Sequence, residues 1–144
     1  MRKSQIGMPL MAAVVAVAAM VIGCATTGVG PTPADEIIAM LADYQAAWEA
    51  QDVDRMVMAF SDNYSDSAGL NKEAVRSTYE RLAAQGILQS IAVWLEECEI
   101  VVDGDSAIAT PLVTNTPTGK FVYRTKLRRE VDGVWRFINM ELMR

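Results

Sequence analysis

Residues 99–144 read EIVVDGDSAIATPLVTNTPTGKFVYRTKLRREVDGVWRFINMELMR and decide the fold. Four runs rich in β-branched and aromatic residues are separated by turn sequences at 103–105, 117–119 and 132–133. An Asp-Gly pair between apolar runs is a strong hairpin signal, because the favoured two-residue turns need positive φ. The stretch therefore predicts an antiparallel meander whose strands lie at 99–102, 106–116, 120–131 and 134–143.

The segments before the meander are predicted to be helical. Thr32 has the character of an N-cap and Pro33 that of a first helical residue, which begins a helix extending to about Gln51. The apolar stripe of this helix recurs at spacings of four, three and four residues: Ile37, Leu41, Tyr44 and Trp48. We expect one face of the helix to pack on the sheet.

Two further helices and one short strand complete the prediction. Asp52 is a cap for a short helix, and Asn71 is a cap for a third helix that ends at Gly86, where positive φ is needed. Alternation over 91–95 favours a strand that leads into the meander. Helices followed by strands predict an α+β domain over residues 34–144, with three N-terminal helices packed on one face of an antiparallel sheet.

The first residues have the pattern of a secretion signal. A basic start is followed by an apolar run from Ile6 to Ile22, and the run ends at Gly23-Cys24. This ending resembles a bacterial lipobox. We therefore expect residues 1–23 to be a lipoprotein signal peptide, Cys24 to carry the lipid, and residues 24–33 to be a flexible tether. The alternative is an uncleaved membrane anchor.

Composition excludes several classes of function. The chain has a formal net charge of −5, which argues against nucleic-acid binding and against electrostatic binding to anionic lipid. It has no histidine and two cysteines, so we predict no metal site and no Ser-His-Asp set. No glycine-rich phosphate loop occurs, and we predict no cofactor. With Cys24 lipidated, Cys98 would be a buried and inert thiol.

A series of short motifs resembles a known superfamily. The segments are AWEAQD at 47–52, FSDNY at 60–64, VDGDSA at 102–107 and DGVWRF at 132–137. Their order and spacing are similar to those of the nuclear transport factor 2-like superfamily, in its SnoaL-like bacterial branch. The resemblance covers roughly residues 34–142. It implies a cone, in which a curved sheet wraps around the helices and leaves a pocket at the open end.

Strand alternation then gives candidate residues for that pocket. The resemblance implies that the Trp135 side of the last strand faces the helices, which would direct Asn139 and Glu141 toward the mouth of the cone. Glu141 is the candidate acid-base residue, since a carboxylate in an apolar cone would have a raised pKa. The alternative is a solvated carboxylate paired with Arg136 or Arg144.

Aromatic residues with polar tips are the other candidates for the pocket. We expect Tyr44, Trp48, Tyr79 and Tyr123 to line it, with a place in the core as the alternative, above all for Trp48. The basic residues of the adjacent strand (Arg124, Lys126 and Arg128) are expected to form a solvated outer face, with binding of an anionic partner as the alternative.

Three function classes remain open. In the first, a lipid-anchored cell-envelope domain binds a small apolar ligand or a protein partner in its cone, without catalysis. In the second, it is an isomerase or cyclase that uses Glu141 as base and Tyr44 or Tyr123 as hydrogen-bond donor. In the third, it is a purely structural module that forms a homodimer through the outer sheet face, supported by Val122, Ile138 and Met140. We expect the protein at a membrane, facing the periplasm or the exterior.

Overall fold

The computed structural model of the protein describes residues 30–144. The predicted signal peptide at 1–23 and the predicted lipid attachment at Cys24 lie outside the described residues. Among residues 30–144, no helix is both long enough and apolar enough to cross a membrane. The described residues form one α+β unit, as predicted.

Each of the three α-helices begins at the residue that the sequence indicated. Helix α1 is Pro33–Glu49, α2 is Val53–Met58 and α3 is Lys72–Ala84. The side chains of Thr32, Asp52 and Asn71 accept hydrogen bonds from the first-turn backbone of α1, α2 and α3. These bonds satisfy amides that have no partner within the helix, and this fixes where each helix starts. Helix α1 ends two residues before the predicted Gln51.

Five strands form one antiparallel sheet. They are β1 (Ala92–Trp94), β2 (Glu99–Asp103), β3 (Ser106–Thr116), β4 (Gly119–Arg129) and β5 (Trp135–Leu142). The last four strands pair in sequence order, so the predicted meander is confirmed. β1 also pairs with β3, beyond the end of β2. Gly104 has a φ of 57° in the β2–β3 turn, a conformation that glycine adopts without strain.

The sheet is interrupted by two register shifts that change which residues face inward. In the β3–β4 pair the shift lies between Ala109 and Leu112, at the Thr110-Pro111 step. In the β4–β5 pair Leu127 is opposite Phe137 and Lys126 is opposite Asn139, so Ile138 is the extra residue. An extra residue reverses the alternation of side chains beyond it.

The hydrophobic core lies between the helices and the inner face of the sheet. Ile37 from α1, Met56 from α2 and Phe137 from β5 have no exposed surface. Full burial of a side chain of this size contributes about 1.5–3 kcal/mol to stability. On the inner face of β4, Thr125 is buried and donates a hydrogen bond to the Ala109 carbonyl at 2.9 Å. Several core residues, among them Tyr44, Phe60 and Leu112, also form the wall of a cavity between the helices and the sheet.

Candidate functional site

A cavity of about 250 Å³ opens between the helices and the inner face of the sheet. Its buried end includes Tyr44, Trp48 and Leu112, while its open end includes Leu70 and Thr116. Its volume falls just below the range of about 300–1,000 Å³ that is usual for drug-sized ligands. The remaining lining residues are Phe60, Tyr64, Asp66, Val75, Thr78, Tyr79, Ile91, Thr114, Phe121, Tyr123 and Met140.

All four tyrosines of the chain line this cavity. The hydroxyls of Tyr44 on α1 and Tyr79 on α3 lie 2.9 Å apart and share one hydrogen bond. Two hydroxyl protons are present and the bond uses one of them, so the other remains free to donate. The pair therefore offers a donor inside the cavity.

Tyrosine hydroxyls are protonated at physiological pH, and burial moves the pKa of these two further above it. Burial raises the pKa of Tyr44 to about 12, against the opposing effects of the Tyr79 hydroxyl and the Trp48 indole N–H. It also raises the pKa of Tyr79 well above its ordinary value. Both residues therefore act as neutral hydrogen-bonding groups.

Trp48 supplies a second donor at the buried end. Its ring packs edge-on against Tyr44, with centroids 6.2 Å apart, and against Tyr79, with centroids 5.0 Å apart. The indole N–H is buried and makes no hydrogen bond of acceptable geometry in the described part of the chain. It is close enough to the Tyr44 hydroxyl to lower the pKa of that residue, but this contact does not replace a full hydrogen bond. A buried donor without a partner costs about 1–3 kcal/mol. A ligand acceptor at this end of the cavity would remove that cost.

Asp66 is the charged residue of the cavity lining. It lies in the loop between α2 and α3 and is partly buried. Its Oδ1 accepts hydrogen bonds from the backbone amides of Ala68 and Leu70, each at 2.8 Å. These bonds fold the loop over the cavity's open end and hold the carboxylate there.

Four of the six predicted pocket residues lie together at the cavity, and the other two lie outside it. Tyr44, Trp48, Tyr79 and Tyr123 all line the cavity. Tyr44 and Trp48 also belong to the core, so the two alternatives for them are not exclusive.

The predicted placement of Asn139 and Glu141 is wrong. Glu141 is exposed, lies opposite Arg124 and borders a separate surface depression. Asn139 donates a hydrogen bond to the Ser65 carbonyl at 2.7 Å and does not line the cavity. Strict alternation from Trp135 fails because Ile138 is an extra residue in β5, which reverses the faces beyond it.

The same reversal corrects the predicted dimer face. Met140 lines the cavity on the inner side of the sheet and is not available to an outer interface. Val122 keeps its place on the outer side, opposite Val113. Arg124, Lys126 and Arg128 are exposed on the same strand, as the solvated reading of that face predicted. Dimerisation through this face stays a prediction.

Sequence reasoning missed Tyr64, Asp66 and Met140 as lining residues. Tyr64 stands in the FSDNY segment, and its aromatic ring packs on Phe60 at 4.9 Å between centroids. The Ser- and Asp-rich sequence around Asp66 indicates a turn stabilised by an aspartate side chain. It does not indicate that Asp66 lies at the cavity, because that depends on how the loop folds. Cys98 is partly buried, and burial raises its pKa, in line with an inert thiol.

Neither the protein-family models nor the curated proteins compared with the sequence match it. Solved structures do resemble the fold. A protein of unknown function with a cystatin-like fold from Nostoc punctiforme is 17% identical, with a TM-score of 0.60 over 77% of this chain and 91% of that chain. An NTF2-like protein with a cystatin-like fold from Novosphingobium aromaticivorans is 19% identical, with a TM-score of 0.60 over 76% and 79% of the chains. A proposed ketosteroid isomerase from Shewanella frigidimarina is 15% identical, with a TM-score of 0.58 over 75% and 94%.

Proposed function

We propose that the protein, whose described residues have the nuclear transport factor 2-like fold, binds a small, largely apolar molecule in its cone without transforming it. The observation that carries this proposal is a buried group of donors in the cavity: the Trp48 indole N–H, which makes no hydrogen bond of acceptable geometry, beside the Tyr44–Tyr79 hydroxyl pair. The cavity is walled mainly by aromatic and aliphatic side chains, which supply apolar contact area. Its polar groups are few and fixed, as in typical small-molecule sites.

The hydrogen-bond donors at the buried end of the cavity determine which chemical group of the ligand would lie there. The Trp48 N–H can only donate, and the tyrosine pair has one proton left to donate. An acceptor oxygen of the ligand would therefore satisfy both groups. A cavity of about 250 Å³ favours a small molecule over a protein partner, because only one or two side chains of a partner would fit.

Native mass spectrometry of the full-length protein, purified from cells without denaturation, tests the proposal. We expect added mass that disappears on denaturation. Thr114→Phe would fill the cavity from β3 and remove that mass. Val113→Phe, on the outer side of the same strand, is the matched control and would keep it. A wild-type protein without added mass, or equal added mass in both variants, would contradict ligand binding in the cone.

A second candidate function is enzymatic, of the isomerase or cyclase kind. The observation that favours it is Asp66, a carboxylate in the same cavity as the tyrosine donors. Asp66 would take a proton from the carbon next to a ligand carbonyl and return it at another carbon. The donors at Tyr44, Tyr79 and Trp48 would stabilise the enolate oxygen between the two steps.

Isomerisation of 3-cyclohexenone to the conjugated 2-cyclohexenone, followed by ultraviolet absorbance, tests this candidate. The enzymatic function predicts a rate above the buffer blank that Asp66→Asn abolishes. A rate equal to the blank, or one that Asp66→Asn leaves unchanged, would remove Asp66 from the mechanism. Glu141→Gln is the control, because it removes a carboxylate that lies outside the cavity and should leave the rate unchanged.

We also propose that the protein is attached to a membrane of the cell envelope through lipid on Cys24. The support is the sequence pattern of residues 1–24. More than one acyl chain would give a stable anchor. Mass spectrometry of the protein from the membrane fraction should find a lipid adduct that Cys24→Ser abolishes. An unmodified Cys24 in the membrane fraction would favour an uncleaved anchor instead.

A further inference from the structure

The charge of the cavity has one sign. Asp66 supplies a negative charge, and no lysine or arginine of residues 30–144 lines the cavity. The surrounding walls include seven aromatic residues: Tyr44, Trp48, Phe60, Tyr64, Tyr79, Phe121 and Tyr123. Aromatic faces carry negative electrostatic potential, which adds to that of the carboxylate.

The Asp66 carboxylate has no ion-pair partner in the described chain. Its Oδ1 is occupied by the amides of Ala68 and Leu70. No hydrogen bond to its Oδ2 occurs among residues 30–144. Acidic side chains elsewhere in the chain are paired in several cases, for example Asp62 with Lys72 at 2.8 Å. Among residues 30–144, no cationic side chain therefore offsets the charge of Asp66 at the cavity.

The negative charge of Asp66 affects the pKa of two neighbouring tyrosines. Burial is the main cause of the raised pKa of Tyr64 and Tyr123, and the charge of Asp66 adds to the rise at both residues. The electrostatic influence of Asp66 therefore extends over two walls of the cavity. An anionic ligand would meet repulsion there without any cation to offset it.

We infer that the cavity is selective for a small organic cation, a methylated ammonium compound with an acceptor oxygen at its other end. This inference rests on the proposed ligand-binding function and names its ligand class. The ammonium group would lie among Tyr64, Tyr123 and Asp66, and the acceptor oxygen would meet the Trp48 N–H at the buried end. Methylated ammonium groups suit aromatic walls because they need no hydrogen-bond acceptors.

Isothermal titration calorimetry on the full-length protein tests the charge directly. The probes are choline and 3,3-dimethyl-1-butanol, which has the same shape with a neutral carbon in place of nitrogen. We expect choline to bind about tenfold more tightly, since cation–aromatic and carboxylate contacts of this kind change affinity by roughly that factor. Equal affinity for the two probes would overturn the inference.

Asp66→Asn separates charge from loop structure, because the asparagine oxygen can accept the same two backbone amides. We expect this variant to lose about tenfold in choline affinity and to keep its affinity for the neutral probe. Asp103→Asn, at an exposed hairpin, is the control and should bind both probes as the wild type does. An unchanged choline affinity in Asp66→Asn would also overturn the inference.

The outcomes distinguish this inference from the proposed function. A ligand detected by native mass spectrometry in a protein that does not bind choline at millimolar concentration would retain the function and reject the cation. Absence of both a copurified ligand and choline binding would reject the two together.

Discussion

At the residue scale, two buried tryptophans differ in how their N–H groups are satisfied. Trp135 donates to Glu36 Oε2 at 3.0 Å, and its ring also lies under the Arg129 guanidinium, 5.5 Å from the ring centroid. Trp48 is equally buried, and its N–H makes no hydrogen bond of acceptable geometry among residues 30–144. One ring therefore stabilises the fold with its polar atom, and the other holds a polar atom available for a ligand.

Replacement of each tryptophan by phenylalanine should separate these roles. Trp48→Phe removes a buried unpaired donor worth about 1–3 kcal/mol, which offsets part of the lost packing. Trp135→Phe removes a similar volume together with a hydrogen bond to a carboxylate. We expect the free energy of unfolding in urea to fall more for Trp135→Phe than for Trp48→Phe. A larger loss for Trp48→Phe would mean that its N–H is satisfied in the ligand-free protein.

At the element scale, the start of α1 is set by local side chains. The Thr32 hydroxyl accepts from the Asp35 amide at 3.2 Å, and Asp35 in turn accepts from the Thr32 amide at 2.9 Å. This reciprocal pair is a capping box. It forms within four residues, which is why the sequence alone predicts it.

Thr32→Ala should lower the free energy of unfolding by about 1 kcal/mol, since the first-turn amide loses its acceptor. Thr32→Ser keeps a hydroxyl at the cap and should cost less than about 0.5 kcal/mol. Urea unfolding followed by circular dichroism measures both changes. Equal losses in the two variants would show that the threonine methyl, and not its hydroxyl, stabilises this end of the helix.

The extra residue in β5 also acts at the element scale, because it decides that Met140 and not Glu141 lines the cavity. Met140→Phe should displace a bound ligand in native mass spectrometry, as Met140 lines the cavity. Glu141→Gln should leave both ligand mass and stability unchanged within about 0.5 kcal/mol, as expected for an exposed site. Loss of ligand in Glu141→Gln alone would contradict the shifted register.

At the scale of the whole molecule, the four tyrosines gather at one cavity from α1, the α2–α3 loop, α3 and β4. Their shared burial raises the pKa of every one of them. The folded state therefore holds the tyrosine protons to higher pH than the unfolded state, in which the pKa is about 10.

This difference predicts alkaline destabilisation. Below about pH 9 the tyrosines are protonated in both states and their contribution does not vary with pH. From about pH 10 the unfolded state loses protons first, so the free energy of unfolding falls as pH rises, for Tyr44 through its folded pKa of about 12. Tyr79→Phe should make the fall shallower in urea titrations between about pH 8 and pH 12. An identical slope in wild type and variant would show that Tyr79 titrates equally in both states.

Sequence reasoning recovered most of the fold and part of the site. Helix starts at Thr32, Asp52 and Asn71 and the hairpin at Gly104 depend on neighbours within four residues, so they can be read locally. The aromatic residues Tyr44, Trp48 and Tyr79 were found because helical spacing places them on the apolar faces of α1 and α3.

Only the tertiary structure decided the chemistry of the cavity. The position of Glu141 depends on one extra residue in β5, Ile138. Residues 60–65 hold this part of β5: Phe60 forms a bridge with Phe137, and the Ser65 amide donates a hydrogen bond to the Ile138 carbonyl. Asp66 reaches the cavity through the fold of a loop far from Tyr123 in sequence. Local rules determine where elements begin and turn; long-range pairing determines which side chains meet, because it balances contacts that no single segment contains.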